Sequence, residues 1–230
     1  VSSHASGSPE KGRSALDGVE AMNYMVNMLR EHTTEGTRIH YVITKGGNAP
    51  NVVPDFAEVY YYARHSRRDE VRNIFDRIVD AAKGAAIGTG TTMDFEIISG
   101  VHELLNIESL QKRVHSNLEK IGGYSYNDEE RLFAEKISKT LGIDLDTKYV
   151  EGVVPYDPVG KAGGSTDVGD VSFVVPTVGL QAATWVPGTS AHSWQAVAAG
   201  GTSIGIKGMM IAAKTIALTG MQLLDEPKAI

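Results

Sequence analysis

The hydrophobic period of the first hundred or so residues changes repeatedly, and the order of those changes limits the fold more than composition does. Leu16, Val19, Met22, Val26 and Leu29 recur at three- and four-residue steps with Asp17, Glu20, Asn23 and Arg30 between them, the stripe of an amphipathic helix over residues 13–31. Thr37 to Thr44 then alternates Ile39, Tyr41 and Ile43 against Arg38, His40 and Val42, and Glu58 to Arg64 carries Val59 and three tyrosines, so both read as strands. Gly46, Gly47, Pro50 and Pro54 punctuate the connection. Val71, Ile74, Phe75, Ile78, Val79 and Ala82 share one face of a second helix behind Ser66 and Asp69. After Gly84, Gly88 and Gly90, Met93, Phe95 and Ile97 alternate with Asp94, Glu96 and Ile98, which predicts a third strand.

Helix, strand, strand, helix, strand is one strand short of the split βαβ pattern, a self-contained α+β domain. The residues ahead of the first helix, among them Ser2, Ser3, Ser6, Gly7, Ser8 and Pro9, read as a loop, with Val1 at best the tail of a strand. The chain is therefore expected to start inside a domain. Beyond residue 103 the texture changes. Ile107, Leu110, Val114, Leu118 and Ile121 suit a helix, and Asn127 followed by Asp128, Glu129 and Glu130 caps another that Gly142 stops. A glycine-rich loop is expected at 160–169, apolar runs at 171–175 and 178–186 read as strands covered on both faces, and 204–218 reads as a packed helix. This half looks like part of an α/β domain with too few strands to be a whole one.

Charge and composition exclude several classes of function. The net charge of -6 lacks the basic face that a sequence-independent grip on nucleic acid requires. With no cysteine there is no disulfide, thiolate nucleophile or Cys-ligated zinc, so a metal site would be built from His and carboxylate. No basic stretch with an apolar core opens the sequence, and the longest apolar tract is interrupted by Lys207 and Lys214, so no membrane segment is expected and a soluble, cytoplasmic protein is. The 25 glycines exceed the usual share of about 7%, which favours tight turns and close backbone approaches.

Few local motifs carry chemistry on their own. Gly84 to Gly90 and Gly160 to Gly164 complete neither phosphate-binding glycine pattern, and no G-x-S-x-G elbow occurs. His102 and Glu103 lack the second His of a zincin helix and read as a strand end. His32, His40, His65 and His115 sit in or beside regular elements with no partner spacing and read as solvated or hydrogen-bonded side chains. His4, in Ser-Ser-His-Ala-Ser, and His192, in Pro-Gly-Thr-Ser-Ala-His-Ser-Trp, stand in small-residue loops where a side chain can point into a cleft. Arg64, beside His65, Arg67 and Arg68, suits either a solvated cluster or bidentate capture of a carboxylate.

Taken in series, Ser-His-Ala-Ser with Pro9 and Gly12, Gly-Gly-Asn-Ala-Pro-Asn-Val-Val-Pro at 46–54, the strand ending in Arg64, Ser165-Thr-Asp-Val-Gly-Asp-Val-Ser172 and Gly188-Thr-Ser-Ala-His-Ser-Trp194 resemble the zinc aminoacylase and carboxypeptidase G family of metallopeptidases. The resemblance runs in order along nearly the whole chain. It implies an α/β catalytic domain interrupted by a ferredoxin-like lid that dimerises. Residues 1–105 would be that lid, lacking most of its first strand, and 106–230 the C-terminal part of the catalytic domain. The part preceding the lid in the family supplies the His-x-Asp ligands, the bridging Asp, the Glu-Glu pair with the general base and a further carboxylate ligand. The resemblance implies that His192 is the one metal ligand in this chain, that His4 reaches across the dimer to stabilise an oxyanion, that Asn51 binds the scissile group, and that Arg64 holds the substrate's free carboxylate. Asp167 and Asp170 are candidates either for supporting a metal ligand or for helix capping.

The implied activity is hydrolysis of the amide bond of N-acyl or N-aroyl amino acids, such as p-aminobenzoyl-glutamate, with two zinc ions, or manganese, in the complete enzyme. The implied partners are a second copy of the chain bound through the lid, and a missing N-terminal half or a partner subunit. The alternative is a non-catalytic lid and dimerisation module, or an inactive fragment, because one imidazole does not hold two zincs, and the chain alone is then expected to bind none stoichiometrically.

Overall fold

In the computed structural model, which describes residues 1–158 and 164–226, the chain divides into two units. One comprises Val1–Glu103 with Gly164–Asp167, the other the remaining described residues from Leu104 on.

The first unit is built around two helices laid on one face of a two-stranded sheet. After a 3-10 turn at Pro9–Lys11, α1 (Ala15–Leu29) begins behind Ser14, whose hydroxyl accepts from the Asp17 N–H at 3.1 Å. A 3-10 turn at Arg30–His32 leads to β1 (Arg38–Lys45), which pairs antiparallel with β2 (Glu58–Arg64) in the register Arg38 to Arg64, Ile39 to Ala63 and Tyr41 to Tyr61. The alternation that predicts the strands is kept as a burial pattern in β2, whereas in β1 Ile39 alone is buried. Ile39 buries with Val26 of α1 and with Ile74 and Ile78 of α2 (Arg68–Thr89), and Met22, Leu29, Tyr61 and Ala63 pack around them. Each of the four fully buried side chains, Val26, Ile39, Ile74 and Ile78, contributes about 1.5–3 kcal/mol by leaving water. Residues of the other parity, His40, Val42, Tyr60, Tyr62 and Arg64, stay exposed.

Three expectations fail here. α2 starts after Arg67 rather than on a Ser66 cap, with Asp69 and Glu70 in its first turn to meet the helix dipole. It also continues through Gly84 and Gly88 to stop at Gly90, because the packed alanines 82, 85 and 86 outweigh the roughly 1 kcal/mol that each glycine costs. Residues 93–98 form no strand. Alternation specifies a face but supplies no partner for the backbone, and no ladder reaches this stretch, where Phe95 instead meets Phe75 edge-on at 5.8 Å. His102 and Glu103 lie in the same irregular stretch, so they end no strand.

In the second unit the described residues form helices and irregular segments. α3 (Glu108–Ile121) is followed by α4 (Asp128–Leu141), whose capping box pairs Asn127 with Glu130 reciprocally. Then come the short α5 (Lys148–Glu151) and α6 (Val168–Ser172), α7 (Trp194–Gly200) and the long α8 (Ser203–Asp225). Tyr126, Ala134, Ile137, Val150, Val186, Ala199 and Ile204 form the core. The strands expected at 171–175 and 178–186 are absent: the first run begins in the helical turn of α6, and the second is irregular without a ladder partner. An apolar run is equally compatible with a buried helical turn or a buried extended segment, so its sequence does not decide between them. Residues 160–163 of the glycine-rich loop lie outside the described residues. α8 is long and apolar enough by length and composition to cross a bilayer, yet it packs along α3, where the buried Asn117 amide donates to Thr219 at 3.0 Å and Gln222 at 2.8 Å.

Candidate functional site

Two of the four candidate residues are brought together by backbone pairing between distant loops. Ala5 N–H donates to Asn51 O at 3.0 Å, Val53 N–H to Ser3 O at 3.0 Å, and His4 bridges Val52. Gly12 permits this approach, since a Cβ there would lie 2.4 Å from Ser3 Oγ and 3.0 Å from Val53 Cγ2. His4 is exposed and its ring is oriented by its own loop: Nδ1 accepts from the N–H of Ser6 at 3.2 Å and of Gly7 at 3.0 Å. With Nδ1 committed as an acceptor, the ring proton belongs on Nε2, leaving a donor directed away from the loop. Asn51 is exposed, and its side-chain amide makes no hydrogen bond among the described residues.

Arg64 is elsewhere. The loop holding Asn51 leaves β1 at Lys45 and re-enters the sheet at Glu58, whereas Arg64 ends β2 six residues later, a rise of about 20 Å. α1 spans the same interval: Pro54 O accepts from Ala15 N–H at its start, and Arg30, just past its end, donates to Ile39 O. Arg64 is exposed, lies over the Tyr62 ring at 5.2 Å, faces Arg38 across the strands, and pairs with no carboxylate among the described residues.

His192 belongs to the second unit and is the one non-glycine residue there or elsewhere among the described residues with a left-handed backbone, φ 60°. That conformation costs free energy for a residue with a Cβ and tends to occur where function requires it. It is followed by Ser193, which caps α7 by accepting from Ala196 N–H at 3.2 Å. Asp167 directly precedes α6 and Asp170 lies in its first turn. Among the described residues no three His, Asp or Glu side chains gather into a set that could hold a metal, so His192 is a single donor and the described residues do not by themselves build a zinc centre.

Residues 1–90 match the model of the peptidase dimerisation domain. A p-aminobenzoyl-glutamate hydrolase subunit of Escherichia coli (strain K12) is 36% identical over 249 residues, covering 97% of this chain and 52% of that protein. The chain belongs to the M20 peptidase family. A second M20 relative, the Xaa-Arg dipeptidase of Mus musculus, is 30% identical over 227 residues, covering 98% of this chain and 46% of that protein. The indole-3-acetyl-aspartic acid hydrolase of Enterobacter agglomerans is 22% identical over 153 residues, covering 62% of this chain and 35% of its own. The chain thus spans about half the length of the first two relatives.

Sequence reasoning missed two features of this M20 chain. Arg38 stands directly opposite Arg64, a cross-strand relation that only the register reveals. Trp185 and Trp194 flank one open surface depression with His192. The only local signal for the latter was an aromatic residue immediately after the Ser193 cap.

Proposed function

We propose that this chain is the dimerising lid, of ferredoxin-like type, and the C-terminal catalytic segment of a metal-dependent amidohydrolase that cleaves N-acyl or N-aroyl amino acids, p-aminobenzoyl-glutamate among them. The observation that carries this reading is the match of residues 1–90 to the peptidase dimerisation domain, within which loop pairing sets His4 beside Asn51 while Arg64 ends β2. A site shared between two protomers would bring the three groups to one amide substrate, which suits a chain carrying a peptidase dimerisation domain. In that site Arg64 of one protomer holds the free carboxylate with its guanidinium fork. His4 and Asn51 come from the other, and the His4 Nε2–H donates to the carbonyl oxygen as negative charge develops on it. His192 offers one neutral imidazole to a metal centre whose remaining donors belong to an enzyme of the relatives' length. A metal there would polarise the amide and activate water.

Co-expression of His4→Ala and Arg64→Ala protomers in an enzyme of that length tests the shared site. In a statistical mixture half the dimers are mixed, and each mixed dimer regains one intact site, so activity recovers to about a quarter of wild type. If both residues served one site from one protomer, no recovery would occur. A second reading, a dimerisation module without turnover of its own, is favoured by the single imidazole at His192. Stoichiometric zinc on the purified 230-residue chain would refute it.

A further inference from the structure

β2 sends Tyr60, Tyr62 and Arg64 to the solvent face of the sheet, away from the core against which Tyr61 and Ala63 pack. There they form a stack. The guanidinium carbon of Arg64 lies over the Tyr62 ring, 5.2 Å from its centroid, and the Tyr62 ring meets the Tyr60 ring edge-on at 5.1 Å. The Tyr60 hydroxyl donates to the Tyr62 hydroxyl at 3.4 Å. Tyr62 stays 49% exposed, so its ring serves these two neighbours rather than the core.

The two arginines at this end of the sheet are not equivalent. Arg38, directly opposite Arg64 in the register, turns back to donate to Thr37 O at 2.8 Å. No oxygen among the described residues accepts from the Arg64 guanidinium, which rests on the Tyr62 ring instead. A long side chain at an exposed strand end samples many rotamers, and fixing its planar fork for a bidentate carboxylate costs that freedom. A ring beneath the guanidinium removes part of the cost in advance, and it attracts the cation without supplying a rival anion. The brace is needed the more because the like charge of Arg38 stands directly across the strands. We infer that Tyr62 is a positioning residue, which holds the Arg64 guanidinium in the pose that takes the substrate's free carboxylate, with Tyr60 steadying the ring behind it. The inference rests on the amidohydrolase reading, which assigns Arg64 to that carboxylate, and adds the side chain on which Arg64 depends.

The test uses Tyr62→Val, which keeps a strand-favouring side chain and removes the ring. In an enzyme of the relatives' length acting on p-aminobenzoyl-glutamate, this variant is expected to raise KM about two- to fivefold, the scale of an exposed cation–π contact, with kcat unchanged. Tyr62→Phe is expected to restore the wild-type KM, because the ring face survives. In an Arg64→Ala background Tyr62→Val is expected to change KM no further, since the two side chains act as one unit. Unchanged KM in Tyr62→Val, no rescue by Tyr62→Phe, or an equal loss in the Arg64→Ala background would overturn the inference while leaving Arg64 as the carboxylate residue. If the enzyme did not turn over this substrate, or Arg64→Ala left KM unchanged, the amidohydrolase reading or its use of Arg64 would fall instead. The stack is then judged on the 230-residue chain by nuclear magnetic resonance. The Arg64 side-chain N–H proton is expected at a ring-shifted position in wild type and Tyr62→Phe, and at the ordinary arginine position in Tyr62→Val. A resonance that did not move would overturn the inference whatever the kinetics.

Discussion

The Glu130 carboxylate accepts from the Lys207 ammonium at 2.6 Å across 77 residues of sequence, tying the capped start of α4 to the first turns of α8. Ser203 Oγ donates to the same carboxylate at 2.6 Å and Asn127 N–H at 2.8 Å, so a side chain only 5% exposed has all its demands met. Glu130→Ala removes the capping partner and leaves Lys207 without its anion. Breaking a buried pair from one side costs about 3–5 kcal/mol, and because the Lys207 side chain is 36% exposed the lower end is expected. Urea unfolding followed by circular dichroism measures it, and a loss under about 1 kcal/mol would place the pair among ordinary surface bridges.

The same carboxylate makes stability depend on pH. Burial alone would raise its pKa, but hydrogen bonds from Lys207, Ser203 and the Asn127 backbone outweigh burial and hold it below the ordinary carboxylate range. A depressed native pKa gives stability that is full above the unfolded value of about 4.3 and is lost as pH falls through the native one. The stability difference between wild type and Glu130→Gln is therefore expected to shrink as pH is lowered from about 5 towards 2. A difference constant over that range would contradict it.

His4, Arg64 and His192 are expected to fail in three different ways in an enzyme of the relatives' length. His192→Ala is expected to lose metal together with rate, the outcome for an imidazole that donates directly to a metal. His4→Ala keeps its metal but lowers kcat about 100-fold, the scale of an oxyanion donor that acts only as charge develops. Arg64→Ala mainly raises KM and erases the preference for a free carboxylate. Metal analysis beside kcat and KM separates the three, and metal loss in His4→Ala would overturn its assignment.

Gly12→Ala places a methyl 2.4 Å from Ser3 Oγ and 3.0 Å from Val53. The pairing of residues 3–5 with 51–53 must open, at a cost of about 1–3 kcal/mol. Hydrogen exchange at the Ala5 and Val53 amides is expected to accelerate, with little change at Ile78 in α2.

Local pattern was enough for α1 and α4, because the Leu16 to Leu29 stripe and the Asn127 to Glu130 box carry both face and boundary within a few residues. Residues 93–98 misled for the opposite reason, since a strand exists only when another backbone meets it. His4, Asn51, Arg64 and His192 stood out as motif residues, but their grouping did not. The joining of His4 to Asn51 depends on loop pairing, the separation of Arg64 on the strand direction, and the left-handed turn at His192 on backbone geometry that residue type does not announce. The two tryptophans met unforeseen because Trp185 is placed from a distance, where the Tyr124 hydroxyl donates to Ala183 O at 2.7 Å and Gly208 lets α8 come close to that oxygen.

The 15 residues of α1 act as a fixed strut between the Asn51 end and the Arg64 end of each protomer. For a site shared between protomers, this strut sets a rate law. With the site shared in that way, velocity at concentrations below the dimer dissociation constant rises with the square of protein concentration. A twofold drop in expression would then cost fourfold in turnover, making gene dosage a steeper control on this activity than on that of a monomeric hydrolase.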